Sequence, residues 1–168
     1  MGTFTAAWEH QRVVESSQWV EFDALVEVLA WGRSIYTIVR LDPALVHAAT
    51  VAQTRRVEGT IDETWVNVGV NRSDVIPDAF MYAGKALQRR LRVRQGDVVS
   101  CRLRPADPED VPIAEDVHHA LAQGGRLDAF QRKAPAERRR LLQPIEEAAK
   151  PETRQRRIAA LLRLLPPN

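Results

Sequence analysis

From Phe22 to Ala30 the chain alternates. Phe22, Ala24, Val26 and Val28 are interleaved with Asp23, Leu25 and Glu27, the two-residue period of a strand with one buried face. Trp31-Gly32-Arg33 marks a turn, and Ser34 to Arg40 is rich in β-branched and aromatic residues, so the two runs predict a hairpin. Asp42-Pro43 opens a short helix over 44–51. Asp42 caps the free amides, and Pro43 has no amide to leave unpaired at the first helical position. Residues 56–61 and 64–70 predict a second hairpin around Asp62-Glu63. After a loop over 71–77, a short strand is expected at 79–83 and a short helix at 85–93. The turn Gln95-Gly96-Asp97 leads into a strong final strand, 98–103. About six strands with two short helices inserted predict a small barrel or sandwich over 21–104.

Past Arg104 the period changes. An acidic, proline-containing connector (105–112) precedes helical patterns at 113–122, 127–130, 135–143, 145–149 and 152–165. Pro144 predicts a kink or split, because proline removes an amide and crowds the preceding turn. In the last helix Ile158, Leu161, Leu162 and Leu165 fall at i, i+3, i+4 and i+7. Arg156 and Arg163 lie on its far side. Arg154 stands four residues before Ile158, borders the apolar stripe and is expected to be pinned against the protein body. The predicted fold class is β + α, a small β-barrel with inserted short helices followed by an all-helical C-terminal tail. The expected divisions are an N-terminal arm (1–20), the barrel (21–104), a connector and helix (105–125) and a basic helical tail (126–168). The arm shows no clean period, but Trp8 and Trp19 predict that part of it packs on the barrel.

Composition narrows the class without naming a reaction. The chain has 168 residues, 45% of them hydrophobic, enough for one packed domain or one with an appendage. Its +2 net charge hides an asymmetry. Residues 1–125 hold 13 Lys+Arg and 17 Asp+Glu, or −4, whereas residues 126–168 hold 11 and 5, or +6. Such an imbalance suggests an anionic partner, or a solvated helical face. The single cysteine, Cys101, sits in an alternating apolar run and reads as a small buried hydrophobe rather than a nucleophile. No apolar stretch resembles a signal peptide or a membrane span, so a cytoplasmic location is expected.

The candidate chemistry is sparse. His118 and His119 are adjacent and point about 100° apart on a helix, and His10 and His47 are distant in sequence, so no metal site is expected. Asp107, Glu109, Asp110, Glu115 and Asp116 cluster without the ligand spacing or turn glycine of a calcium loop. No nucleophile elbow, phosphate loop or dinucleotide fingerprint occurs, so no catalytic residue and no cofactor is expected. Trp65 and Asn67 alternate on one strand in a way that suits a pocket wall, with Arg40 and Arg104 at other strand ends, although core packing is the simpler reading of Trp65. The tail offers Arg138, Arg139, Arg140, Lys150, Arg154, Arg156, Arg157 and Arg163 for phosphate contacts. No aromatic residue follows Phe130 for base stacking, and Arg138 to Arg140 point around a helix.

Two segments resemble known families. GTI at 59–61, TWVNVGV at 64–70 and QGDVVSCRL at 95–103, ending near Asp107, resemble a small bacterial barrel domain. VPIAEDVHHAL (111–121), Phe130 and AAKPETRQRRI (148–158) resemble the tail of the YdeI/OmpD-associated, or bacteriocin-protection, family. Together the resemblance covers about residues 21–165. It implies a double-split β-barrel capped by helices and brings no established chemistry. The barrel family often has an arginine shortly after the final strand's aspartate, where this chain has Pro108-Glu109-Asp110.

Three functions stay open. The first is a non-enzymatic binding or stress-adaptation protein with a protein or small-molecule partner. The second is nucleic-acid binding through the tail. The third is a small-molecule site or enzyme between barrel and tail. The candidate binding residues are Trp65, Arg104, Lys150, Arg154 and Arg157.

Overall fold

The computed structural model describes residues 19–167. Trp8 and His10 lie outside them. β1 (Val20–Trp31) and β2 (Ser34–Arg40) form the first hairpin, pairing Val26 with Val39 and Trp31 with Ser34. β3 (Arg56–Ile61) and β4 (Thr64–Gly69) form the second. Its two turn residues, Asp62 and Glu63, have φ of 44° and 68°, the left-handed backbone that a tight hairpin requires. With β5 (Phe80–Tyr82) and β6 (Val98–Pro105), the strands make one antiparallel sheet in the order β4-β3-β6-β1-β2-β5.

β1 is long because it serves two partners. Val20 to Leu25 pair with β6, and Val26 to Trp31 pair with β2. The covered face changes with the partner. Val26 and Val39 enter the main core, whereas Leu29, Ile38 and Phe80 on the opposite face pack with Trp31, Tyr36 and Ile76. Val28, expected inside, is therefore exposed. The sequence predicts a barrel; the structure is a mixed β + α fold built on this curled sheet. A single bridge joins its edges, where Asn71 and Phe80 exchange backbone bonds of 2.8 and 3.0 Å. One bridge falls short of a continuous closing ladder.

Two short helices cover the main core. α1 (Pro43–Val51) begins as expected, with Asp42 Oδ1 accepting from the Ala44 amide at 2.8 Å, and it buries Leu45 and Ala49. α2 (Lys85–Leu91) adds Leu91. Cys101 is in this core, where burial, aided by Asp62 and Asp23, pushes its thiol up to about 12. It is a packing residue and carries no thiolate near neutral pH.

The helices α3 (Glu115–Gln123), α4 (Leu127–Gln131), α5 (Pro135–Glu146) and α6 (Pro151–Leu164) form a second unit with its own core. Val117, Leu121, Phe130, Leu142, Ile145 and Leu161 fill it, with Val111 from the connector. Each such side chain contributes about 1.5–3 kcal/mol by leaving water, so this unit has a hydrophobic reason to hold together that does not involve the sheet. α5 runs through Pro144 without the expected split. Only two helical residues follow Pro144, so the missing amide removes one bond at the frayed end. Arg157 and Arg154 of α6 then donate to the carbonyls of Pro144 and Ile145. No helix among the described residues is long and apolar enough to cross a membrane.

Candidate functional site

The sheet face turned away from the main core is polar on β4, β3 and β6. Two-residue alternation puts Val57, Ile61, Val66 and Leu103 in the core, and Arg56, Glu58, Trp65, Asn67 and Arg104 on the other face. Glu58 and Arg104 are cross-strand partners joined by an ion pair of 2.9 Å. The Trp19 ring lies against this face, with the guanidinium carbons of Arg102 and Arg104 at 4.3 and 4.7 Å from its centroid. Gly59 permits the approach. A Cβ there would stand 2.9 Å from the Trp19 ring and 2.1 Å from the Arg102 carbonyl.

Nearer β4, Arg56 donates from Nε to Asn67 Oδ1 at 2.7 Å and from its terminal nitrogen to the Asn67 carbonyl at 2.8 Å. Burial, with Arg139 adding to it, lowers the pKa of Arg56 despite the opposing pull of Glu146. Trp65 is two residues before Asn67 and 48% exposed. Its carbonyl accepts from Arg90 at 2.8 Å.

The connector, α5 and the start of α6 form the facing wall. Between the two walls is a cleft of about 1370 Å³. Its charged lining consists of six arginines (55, 56, 90, 139, 140 and 154) and one acid, Glu146. Among the described residues only Arg154 of these six has a carboxylate oxygen within 4.0 Å. It grips Asp116 with both prongs, at 2.6 and 2.8 Å, and donates to the Ile145 carbonyl at 3.1 Å. Arg139 instead donates to the connector carbonyls of Pro108 and Asp110, and burial lowers its pKa. Glu146 is exposed to water on one side, and its partial burial between the walls raises its pKa, against the pull of Arg90, Arg154 and Arg56. Six guanidinium groups against one carboxyl give the cleft a positive electrostatic potential.

Of the five candidate binding residues the cleft brings together two, Trp65 and Arg154, alongside Asn67, Arg139 and Arg140, which the sequence also points out. The other three candidates do not line it. Arg104 lies on the sheet face with Glu58 and Trp19, Lys150 is exposed just before α6, and Arg157 reaches the Pro144 carbonyl. Among the described residues no group of three His, Cys, Asp or Glu is placed to hold one metal ion.

The second wall belongs to a unit whose core runs from Val111 to Leu165. Residues 110–166 match the family model OmdA, described as Bacteriocin-protection, YdeI or OmpD-Associated. The OmdA segment thus coincides with the helical unit and its share of the cleft, and the sheet unit lies outside it. No curated protein and no solved structure matches the chain.

Arg56, Arg90 and Glu146 are members of the cleft that sequence reasoning does not single out. Arg139 and Arg140 are named among the tail arginines, but their run points around a helix, and only the packing of α5 shows which of them meet the cleft. Arg56 has one available signal. It pairs with Gly69, a strand position without a side chain, which leaves room for a guanidinium to fold back onto Asn67.

Proposed function

We propose that the protein is a non-catalytic binding protein that holds a small anionic ligand in the cleft between its sheet and its OmdA segment. The observation that carries this reading is the set of five arginines in the cleft without a carboxylate within ion-pair distance. Arg55, Arg90 and Arg140 are exposed and add positive potential, whereas Arg56 and Arg139 are partly withdrawn from water without a close counter-ion, an unfavourable state that a bound anion relieves. Binding is preferred to catalysis because arginine exchanges no protons near neutral pH and supplies only fixed charge and hydrogen-bond donors. The family's name speaks of bacteriocin protection and OmpD association. A bacterial, cytoplasmic protein that takes part in a stress response by holding a soluble anion is consistent with that name.

Calorimetric titration with phosphate, pyrophosphate, citrate and aryl acids tests the reading. At least one should bind and raise the melting temperature, since a ligand at 100 times its Kd stabilises by about 2.7 kcal/mol. Arg140 is exposed and has no hydrogen bond or ion pair among the described residues, so Arg140→Glu should weaken binding without changing the melting temperature of the free protein. A panel in which no anion binds would sink the proposal.

A further inference from the structure

The cleft carries information about its ligand beyond charge. Trp65 projects from the start of β4, next to the hairpin turn, on the face turned to the cleft, and nearly half of it is open to solvent. A tryptophan left open inside a concave site is a platform for a flat ring. The wall opposite adds Pro112, Ile113 and Ala136, which are apolar and carry no side-chain donors. Polar demand is concentrated further along the strand. Arg56 can only donate, so its bond fixes the Asn67 oxygen on that side and leaves Asn67 Nδ2 as the free donor. Nδ2 is buried without a protein acceptor, and so is Nε of Arg139. Both residues line the cleft. Two residues that line the cleft from opposite walls thus each hold a donor without a protein acceptor, and an acceptor oxygen brought between the walls would satisfy them. Trp65 and Asn67 are two residues apart, which separates ring platform and donors by about 7 Å.

We infer that the cleft binds a small oxyanion carrying a flat aromatic ring, the ring stacked on Trp65 and the oxyanion held by Arg56, Asn67 and Arg139. The inference rests on the anion-binding reading and adds the ring. Two sources share this chemistry, nucleoside monophosphates and aromatic carboxylates.

The test is calorimetric titration of the full chain with four probes: adenosine monophosphate, salicylate, adenosine and inorganic phosphate. The two ring-bearing anions represent the two sources, and at least one should bind about tenfold or more tighter than phosphate, with adenosine weaker still. Trp65→Ala should weaken the tighter of them by about tenfold, within the range that ring stacking supplies. Trp65→Phe, which keeps a ring, should restore most of the affinity and guards against a folding defect. Phosphate binding as tightly as both ring-bearing probes, or affinity indifferent to Trp65→Ala, would overturn the ring and leave the anion cleft standing. Binding of none of the anions would remove both.

Discussion

Two carboxyls of the helical unit respond to pH in opposite directions. The hydrogen bond from Arg154 holds the Asp116 carboxyl below its ordinary range. Its contribution to stability is therefore present above the unfolded value and lost as pH falls through the lower folded one. The side chain of Asp116 is 50% exposed, so the pair should be worth no more than about 1 kcal/mol. A double-mutant cycle of Arg154→Ala with Asp116→Asn, read by urea midpoints, should return a coupling of that size at pH 7. The coupling should shrink as pH falls below the ordinary carboxylate range, and one unchanged by acid would contradict the assignment. Glu146 behaves in the reverse sense. Burial raises its pKa, so the folded state holds its proton longer, and stability is lost as pH rises from the ordinary carboxylate value through the raised one. Glu146→Gln should thus gain stability relative to the parent between pH 4 and pH 7, modestly because Glu146 keeps water contact. A difference that stays flat across that range would show that Glu146 is not under strain. The sequence makes Arg154 legible, because helical phase places it beside an apolar stripe. Glu146 was not legible, because its environment comes from Arg56 and Arg90, which are distant in sequence and reach it only when the two units meet.

The hairpins, α1 with its Asp42 cap and the amphipathic α6 are all readable from period and turn chemistry. The exceptions have physical causes. The partner change within β1 cannot be read from alternation, which gives way to the all-apolar run Val28 to Trp31 where the covered face switches and so assigns neither face. Pro144 reads as a breaker because the prolines of a helix interior usually are, but its cost depends on how many residues follow. Phe130 shows the other extreme. It is fully buried at the centre of the helical core although it belongs to a helix of only five residues, Leu127–Gln131. Phe130→Ala should cost about 3–5 kcal/mol. Amide hydrogen exchange locates the damage: protection should fall across α3 to α6 and persist in β1, β3 and β6. Equal loss in both would mean that the two cores are not separate. Gly59→Ala belongs to the sheet instead. Its added methyl would meet the Arg102 carbonyl and the Trp19 ring at φ of +144°, so destabilisation should appear first in the pairing of β3 with β6.

The molecule as a whole is two cores facing each other across a charged cleft, and that arrangement bears on how it unfolds. Nothing apolar is shared between the two clusters of buried residues. Across the cleft, Arg89 of α2 donates to the Glu147 carbonyl at 3.3 Å, a long and exposed bond. Like charges face each other there as well, since Arg56 and Arg139 come from opposite walls and each is short of a carboxylate. The coupling between the units in the free protein should therefore be weak, and scanning calorimetry should resolve two transitions, or one whose van't Hoff enthalpy is below the calorimetric value. An anion in the cleft touches both walls and neutralises the repulsion. It binds only when both are folded, so its binding energy is shared by the two units. Saturating ligand should merge the transitions and bring the two enthalpies together. A single two-state transition in the free chain would place the cleft inside one cooperative unit. Two transitions that stay apart at saturation would show that the ligand contacts only one wall.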